Sequence, residues 1–120
     1  MKNANREIGT KGEECASQYL QDLGYQILDR NWRTKRGELD IVAMRESTLV
    51  FCEVKTRTSK VCGLPSESVS KTKIQHLKTV ALEWLNSNQV NRSGIRFDVI
   101  AVLIEPTTAP QISHIQGIEL

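Results

Sequence analysis

No stretch of this sequence approaches the ~20 consecutive apolar residues that a membrane-spanning helix needs, which argues against an integral helical membrane protein. The opening segment, MKNANREIGTKGEE, is polar and lacks the apolar core of a secretory signal, so a cytoplasmic protein is expected. Cysteine is scarce. Cys15, Cys52 and Cys62 are odd in number and widely spaced, no CxxC pair occurs, and the two histidines, His76 and His114, lie far apart. That is no zinc framework, and it fits reduced thiols. Repeats, low-complexity tracts and linkers are also missing. Nor is there a large charge of either sign: the net charge is +2, so overall charge does not announce a polyanionic partner.

What is present is the material of one domain. A chain of 120 residues supports a single modest core, and 39% apolar with 25% charged residues is ordinary globular composition rather than disorder. The basic residues are unevenly spread. Segments 30–36 (RNWRTKR), 55–60 (KTRTSK) and 71–78 (KTKIQHLK) hold four, three and three of the sixteen, with no acidic residue among them. Such clusters suit phosphate contacts, although solvated loops would carry them equally well.

Periodicity gives the order α-β-β-β-α-β-β. From Asn5 to Leu23, the residues Ile8, Gly12, Cys15, Ala16, Tyr19, Leu20 and Leu23 form one apolar helical stripe, and Gly24 stops it. Tyr25–Trp32 reads as a strand, followed by the polar turn Thr34–Gly37. Glu38–Met44 and Leu49–Thr56, rich in β-formers and joined by Arg45-Glu46-Ser47-Thr48, read as a hairpin. After a loop with Gly63 and Pro65, a second helix starts near Ser70, an N-cap candidate. Its stripe is Ile74, Leu77, Ala81, Trp84 and Leu85. Ile95–Ile104 and Ile112–Ile118 close the chain as strands. The expected fold is a small α/β domain with a central mixed β-sheet flanked by helices.

The hairpin carries the chemistry. Its link is centred between Glu46 and Ser47. Whether the loop has two residues or four, and provided no bulge intervenes, Asp40 falls opposite Glu53 and Glu38 opposite Lys55. Alternation puts Glu38, Asp40, Val42, Met44, Leu49, Phe51, Glu53 and Lys55 on one face. Leu39, Ile41, Ala43, Val50, Cys52 and Val54 take the other. Two facing carboxylates in apolar surroundings repel and lose hydration, and a folding argument alone would put Thr or Val there. A divalent cation removes the objection. Mg²⁺ or Mn²⁺ takes hard oxygen ligands, polarises a phosphoryl group and acidifies a bound water. Lys55, one pleat from Glu53, would contact the scissile phosphate or steady the attacking hydroxide. Glu38 and Lys55 taken alone read as a structural ion pair.

Other positions stay open from pattern. Glu13 either points at the metal or lies in water, and Gly9 and Gly12 would let its helix approach the sheet or substrate closely. Lys73 shares a row with Leu77, Val80 and Trp84. It either joins the site, where a helix N-terminus also favours phosphate, or is solvated. Asp98 reads as the partner of Arg96 or another base. Trp32 would stack on a base or sit in the core.

An Asp followed by Glu-x-Lys on the next strand, here Asp40 and Glu53-Val54-Lys55, resembles the PD-(D/E)xK nuclease superfamily. The blocks GxxGE at 9–13, RNWRTKRGELDIVA at 30–43, LVFCEVKTR at 49–57 and RFDVIAV at 96–102 resemble the YraN family of uncharacterised bacterial proteins. That resemblance covers nearly the whole chain. It implies a restriction-endonuclease-like fold similar to archaeal Holliday-junction resolvases, with Glu13, Asp40, Glu53 and Lys55 as the site. It departs from the superfamily label in having Leu39 where the proline precedes the aspartate. It implies a metal-dependent endonuclease, acting on DNA before RNA, and by analogy with resolvases a homodimer. On that reading Asp40, Glu53 and Glu13 hold the metal, while Arg30, Arg33, Lys35, Arg36, Arg57 and Lys73 hold the nucleic-acid backbone. Contacts of that kind position a substrate without reading its sequence. The rivals are a non-catalytic nucleic-acid-binding module of the same fold and a protein-interaction scaffold.

Overall fold

Two amphipathic helices and five β-rich runs can bury their apolar sides by placing one helix on each face of one sheet. The computed structural model has that form, and describes residues 2–58 and 71–118. Helix α1 (Lys2–Asp22) is followed by β1 (Gln26–Thr34), β2 (Gly37–Arg45) and β3 (Thr48–Arg57). Then come α2 (Lys71–Ser87), β4 (Gly94–Leu103) and β5 (Gln111–Ile115). The strands lie in sequence order across the sheet. All neighbours are antiparallel except β3 and β4, which run parallel because α2 returns the chain between them. The expected mixed sheet and element order are therefore present. The proposed cap at Ser70 and the loop through Cys62, Gly63 and Pro65 lie outside the described residues. Among the described residues, no helix is long and apolar enough to cross a membrane.

The sheet separates two cores. Ala16 and Leu20 of α1 pack on Ile41, Ala43, Val50, Cys52, Ile100 and Val102. On the other face, Leu77, Val80, Ala81 and Trp84 of α2 pack on Leu39, Val42, Leu49 and Phe51. Trp84 is buried, and its indole N–H donates to Asp29 Oδ2 at 3.0 Å, so it brings no unsatisfied donor inside. The end of α1 is set by Gly24, whose φ of 96° suits glycine; Gly24 N donates to Gln21 O and Tyr25 N to Leu20 O, at 3.0 and 2.9 Å. Because the helix stops there, Leu23 leaves the predicted stripe and is 40% exposed.

The hairpin turns through Glu46 and Ser47, with Glu46 at φ 56°, and pairs Arg45 with Thr48, the tighter of the two expected loops. The register runs as expected from there to Ile41↔Cys52 and then stops, one pair short of Asp40 and Glu53. Face alternation also breaks here. Trp32 and its partner Leu39 belong to the α2 core, whereas two residues away Ile41 faces α1, and its partner Arg30 pairs with Glu14 of α1. Leu39 was expected to share a face with Ile41. The cause lies between those pairs, at Asn31, whose φ of 53° turns β1 over.

A second buried acid explains how β5 is held. Asp98 is fully buried on β4 and accepts from Arg96 Nε and Nη2, His114 Nε2 and Gly117 N, at 2.7–3.1 Å. With Nε2 donating, His114 Nδ1 is left to accept the Tyr19 hydroxyl at 3.0 Å, and Arg96 also donates to the Tyr25 hydroxyl at 2.6 Å. Burial alone would push the Asp98 carboxyl up, but these donors together hold it below the usual carboxylate range. The pairing with Arg96 was expected; His114 was not.

The two helix glycines differ. A Cβ at Gly12 would lie 2.7 Å from Thr56 Cγ2 and 2.8 Å from its Cβ, so here α1 approaches β3 as closely as only glycine allows. At Gly9 a Cβ would meet nothing within 4 Å among the described residues, so this glycine marks no close approach to the sheet. Gly12→Ala should cost about 1–3 kcal/mol through overpacking, while Gly9→Ala should add about 0.5–1 kcal/mol through helix propensity. Urea unfolding of both variants beside the unsubstituted protein checks the opposite signs.

Candidate active site

Where β2 and β3 stop pairing, they open a cleft of about 520 Å³. Gly37, Glu38 and Asp40 line it from β2, Glu53, Val54 and Lys55 from β3, and Lys73, His76 and Leu77 from α2. The fork is held open by a side chain. Asp40 Oδ2 accepts the backbone N–H of Val54 at 2.8 Å. The aspartate carboxylate thus takes a ladder donor and is fixed beside Glu53 rather than across from it.

Glu53 is 6% exposed, in line with the apolar strand around it. Two ammonium groups converge on its Oε1: Lys73 at 2.5 Å and Lys55 at 3.5 Å. Lys55 therefore pairs with Glu53. Glu38, its expected cross-strand partner, instead pairs with Arg33 on β1, because the fork carries β2 away from β3 at that point. Burial pushes the Lys55 amine below its usual range, and the neighbouring Lys73 adds to this.

Asp40 stands in the same cleft, and its charge acts on Lys73. Burial, reinforced by the charge of Glu53, pushes its carboxyl up to about 8 despite the Val54 N–H that favours the charged form. Glu13 stands at the edge of this group from α1. Burial and the charge of Glu38 raise it above the usual carboxylate range. In the amide orientation that satisfies both residues, Asn31 donates to Glu13 Oε1 and Oε2, at 2.9 and 2.8 Å. Glu13 is close enough to raise Asp40 slightly, yet among the described residues no three His, Cys, Asp or Glu side chains converge closely enough to hold an ion.

The predicted basic residues divide. Lys73 is in the cleft. Lys35 and Arg36 are exposed on the β1–β2 turn, next to Gly37 at its rim. Arg57 follows Glu53 and Lys55 along β3, half-buried, and its Nε has no hydrogen-bond partner among the described residues. Arg33 is paired with Glu38, and Arg30 is committed to Glu14 at 2.7 Å on the α1 side, away from the cleft. Trp32 is half-buried against the α2 core, the packing alternative of the two. Pattern reasoning missed His76, which follows Lys73 by one helical turn. It also missed Asn31, whose left-handed backbone has no hydrophobic signature.

The sequence matches the family model of Uncharacterised protein family UPF0102 over residues 12–102, a span that includes every residue lining the cleft. It is 41% identical over 112 residues to a UPF0102 protein of Rhodococcus opacus (strain B4), covering 93% of this chain and 95% of the relative. A UPF0102 protein of Pelobacter propionicus is 47% identical over 113 residues, covering 92% of this chain and 81% of the relative. One of Syntrophomonas wolfei is 46% identical over 111 residues, with 92% and 96% covered.

The raised Asp40 carboxyl fixes a pH dependence for the metal-free protein. Its folded value, about 8, lies above the ordinary aspartate value of 3.8, so the folded state binds the extra proton between them. The contribution of Asp40 to stability should be fully present below pH 4 and be lost as pH rises towards 8, with a slope of at most about 1.4 kcal/mol per pH unit for one proton. Denaturant unfolding across that range in EDTA, with Asp40→Asn beside the unsubstituted protein, should show the variant without this slope.

Proposed function

We propose that this chain, which belongs to the uncharacterised protein family UPF0102, is a metal-dependent endonuclease that hydrolyses the phosphodiester backbone of nucleic acid, DNA before RNA. The observation that carries the reading is the pairing of two desolvated carboxylates, Asp40 and Glu53, in a cleft they share with two lysines. Held close and out of water, they oppose folding unless something positive joins them.

The donor set fits Mg²⁺ or Mn²⁺. Asp40 spends Oδ2 on Val54 N–H and Glu53 receives both lysines at Oε1, so Oδ1 and Oε2 are not used by those contacts. Two carboxylate oxygens, with water and substrate phosphate completing the shell, is the usual way proteins bind Mg²⁺. Bound there, the ion would supply Lewis-acid activation of the phosphoryl group and a more acidic water. Glu13, steadied by Asn31, adjusts the field at Asp40 from the rim.

The chain's own groups do the rest. Lys55 issues from a central strand and is rigidly placed to offset charge that builds on the phosphate. Lys73 in the cleft, Lys35 and Arg36 next to Gly37 at its edge, and Arg57 further along β3 would supply the cations that hold the backbone. Contacts of cations with phosphates position a backbone without reading its sequence, so substrate shape or ends would decide selectivity.

Purified protein incubated with labelled duplex, nicked, flapped, four-way-junction and single-stranded substrates in Mg²⁺, Mn²⁺ or EDTA tests this. Cleavage should require metal and fall at least about 100-fold in folded Asp40→Asn and Lys55→Ala variants. Salt-sensitive binding without cleavage on any substrate would instead identify a non-catalytic binding module.

A further inference from the structure

Glu53 is served by two cations of different character. Lys55 leaves a central strand one pleat away and is the less exposed, 22% at the side chain. Lys73 comes from the first turn of α2, its side chain is 41% exposed, and it makes the shorter contact with the same oxygen, 2.5 against 3.5 Å. Two ammonium groups drawn to one oxygen repel each other and are held together by the carboxylate charge between them. A divalent ion at Asp40 and Glu53 would add a third positive centre to that space. The cation with the longer reach, on a flexible four-carbon stem and open to the cleft, is the one able to yield.

We infer that Lys73 is an exchangeable counter-ion: it neutralises Glu53 in the metal-free protein, gives that carboxylate up on metal binding, and then carries its ammonium to the substrate phosphate. The inference rests on the metal-site reading above and adds to it a role that opposes metal binding and favours substrate binding through one side chain. Lys73 lines the cleft together with His76 and Leu77 and is 41% exposed at the side chain, so a phosphate entering the cleft would come within its reach. The first turn of α2 also has backbone N–H groups without intrahelical partners, and these favour an anion on the same side.

The two halves of the proposal have opposite signs, which a merely structural residue would not produce. Mn²⁺ is titrated into the full-length protein without nucleic acid, by calorimetry, for the unsubstituted chain, Lys73→Met, Lys73→Gln and Lys73→Arg. Removing the charge should tighten Mn²⁺ binding about tenfold at unchanged stoichiometry, while Lys73→Arg stays near the starting affinity. Binding of a labelled DNA duplex is then measured in Ca²⁺ and in EDTA. Lys73→Met should weaken binding several-fold in Ca²⁺ and change it little in EDTA, where the lysine is occupied by Glu53. Lys73→Gln, with a neutral stem of similar length, serves if Lys73→Met does not fold. Equal or weaker Mn²⁺ affinity in the neutral variants overturns the counter-ion role alone. Equal losses of DNA affinity in Ca²⁺ and EDTA overturn the transfer to phosphate. An unsubstituted protein that binds no Mn²⁺ overturns the metal-site reading, and this inference with it.

Discussion

The repulsion between two carboxylates at the fork of a hairpin is the constraint around which this structure is arranged. Asp40 and Glu53 are on neighbouring strands, and neither is in water enough to be indifferent to the other. Two nearby elements answer that problem and a third adds to it. β3 contributes a backbone N–H to Asp40 and Lys55 to Glu53, and α2 contributes Lys73. α1, brought against β3 at Gly12, supplies Glu13, a further negative charge, which sharpens the demand for a cation. The charges do not cancel, and the imbalance is concentrated on Asp40.

Asp98 gives the internal comparison. It is the more deeply buried of the two aspartates, yet it accepts four hydrogen bonds from a guanidinium, an imidazole and a backbone amide, and its carboxyl stays below the usual range. The fold therefore can satisfy a buried acid completely from its own residues. At Asp40 it supplies one amide and leaves the carboxyl raised. The difference between two aspartates in one sheet is what separates a structural acid from a candidate ligand, and depth of burial alone does not make that distinction.

Much of this could be read from residue order. The two-residue period of VFCEVK and ELDIVA, with one turn centre, was enough to bring Asp40, Glu53 and Lys55 together, since register carries over many residues once a turn is placed. The helix stripes were legible for the same reason, whereas the row Lys73 shares with Leu77, Val80 and Trp84 left that lysine either in the site or solvated. Legibility failed where a single backbone angle or a distant partner decides. Asn31 turns β1 over and moves Leu39 to the other core, and no hydrophobic pattern encodes a left-handed residue inside a strand. Glu38 went to Arg33 rather than Lys55, because a fork that separates strands also reassigns their ion pairs. His114 meets Asp98 only after β5 docks, a contact that pattern cannot see. The UPF0102 family match, spanning residues 12–102, takes in Asn31, Glu38, Asp40, Glu53 and Lys55 but stops short of His114.

The parallel pairing of β3 with β4 has a consequence for the order in which the molecule becomes whole. An antiparallel hairpin closes locally and fast, so β2 and β3, with both acids, can form early. The ladder from Thr48↔Gly94 to Arg57↔Leu103 must wait for a long crossover to fold and dock, and α2, the bearer of Lys73, is part of that crossover. A chain still being synthesised, or one partly unfolded, would thus hold the carboxylates without the wall that makes them a cleft. Assembly of the wall is tied to completion of the sheet, so the cleft takes shape only as the fold closes.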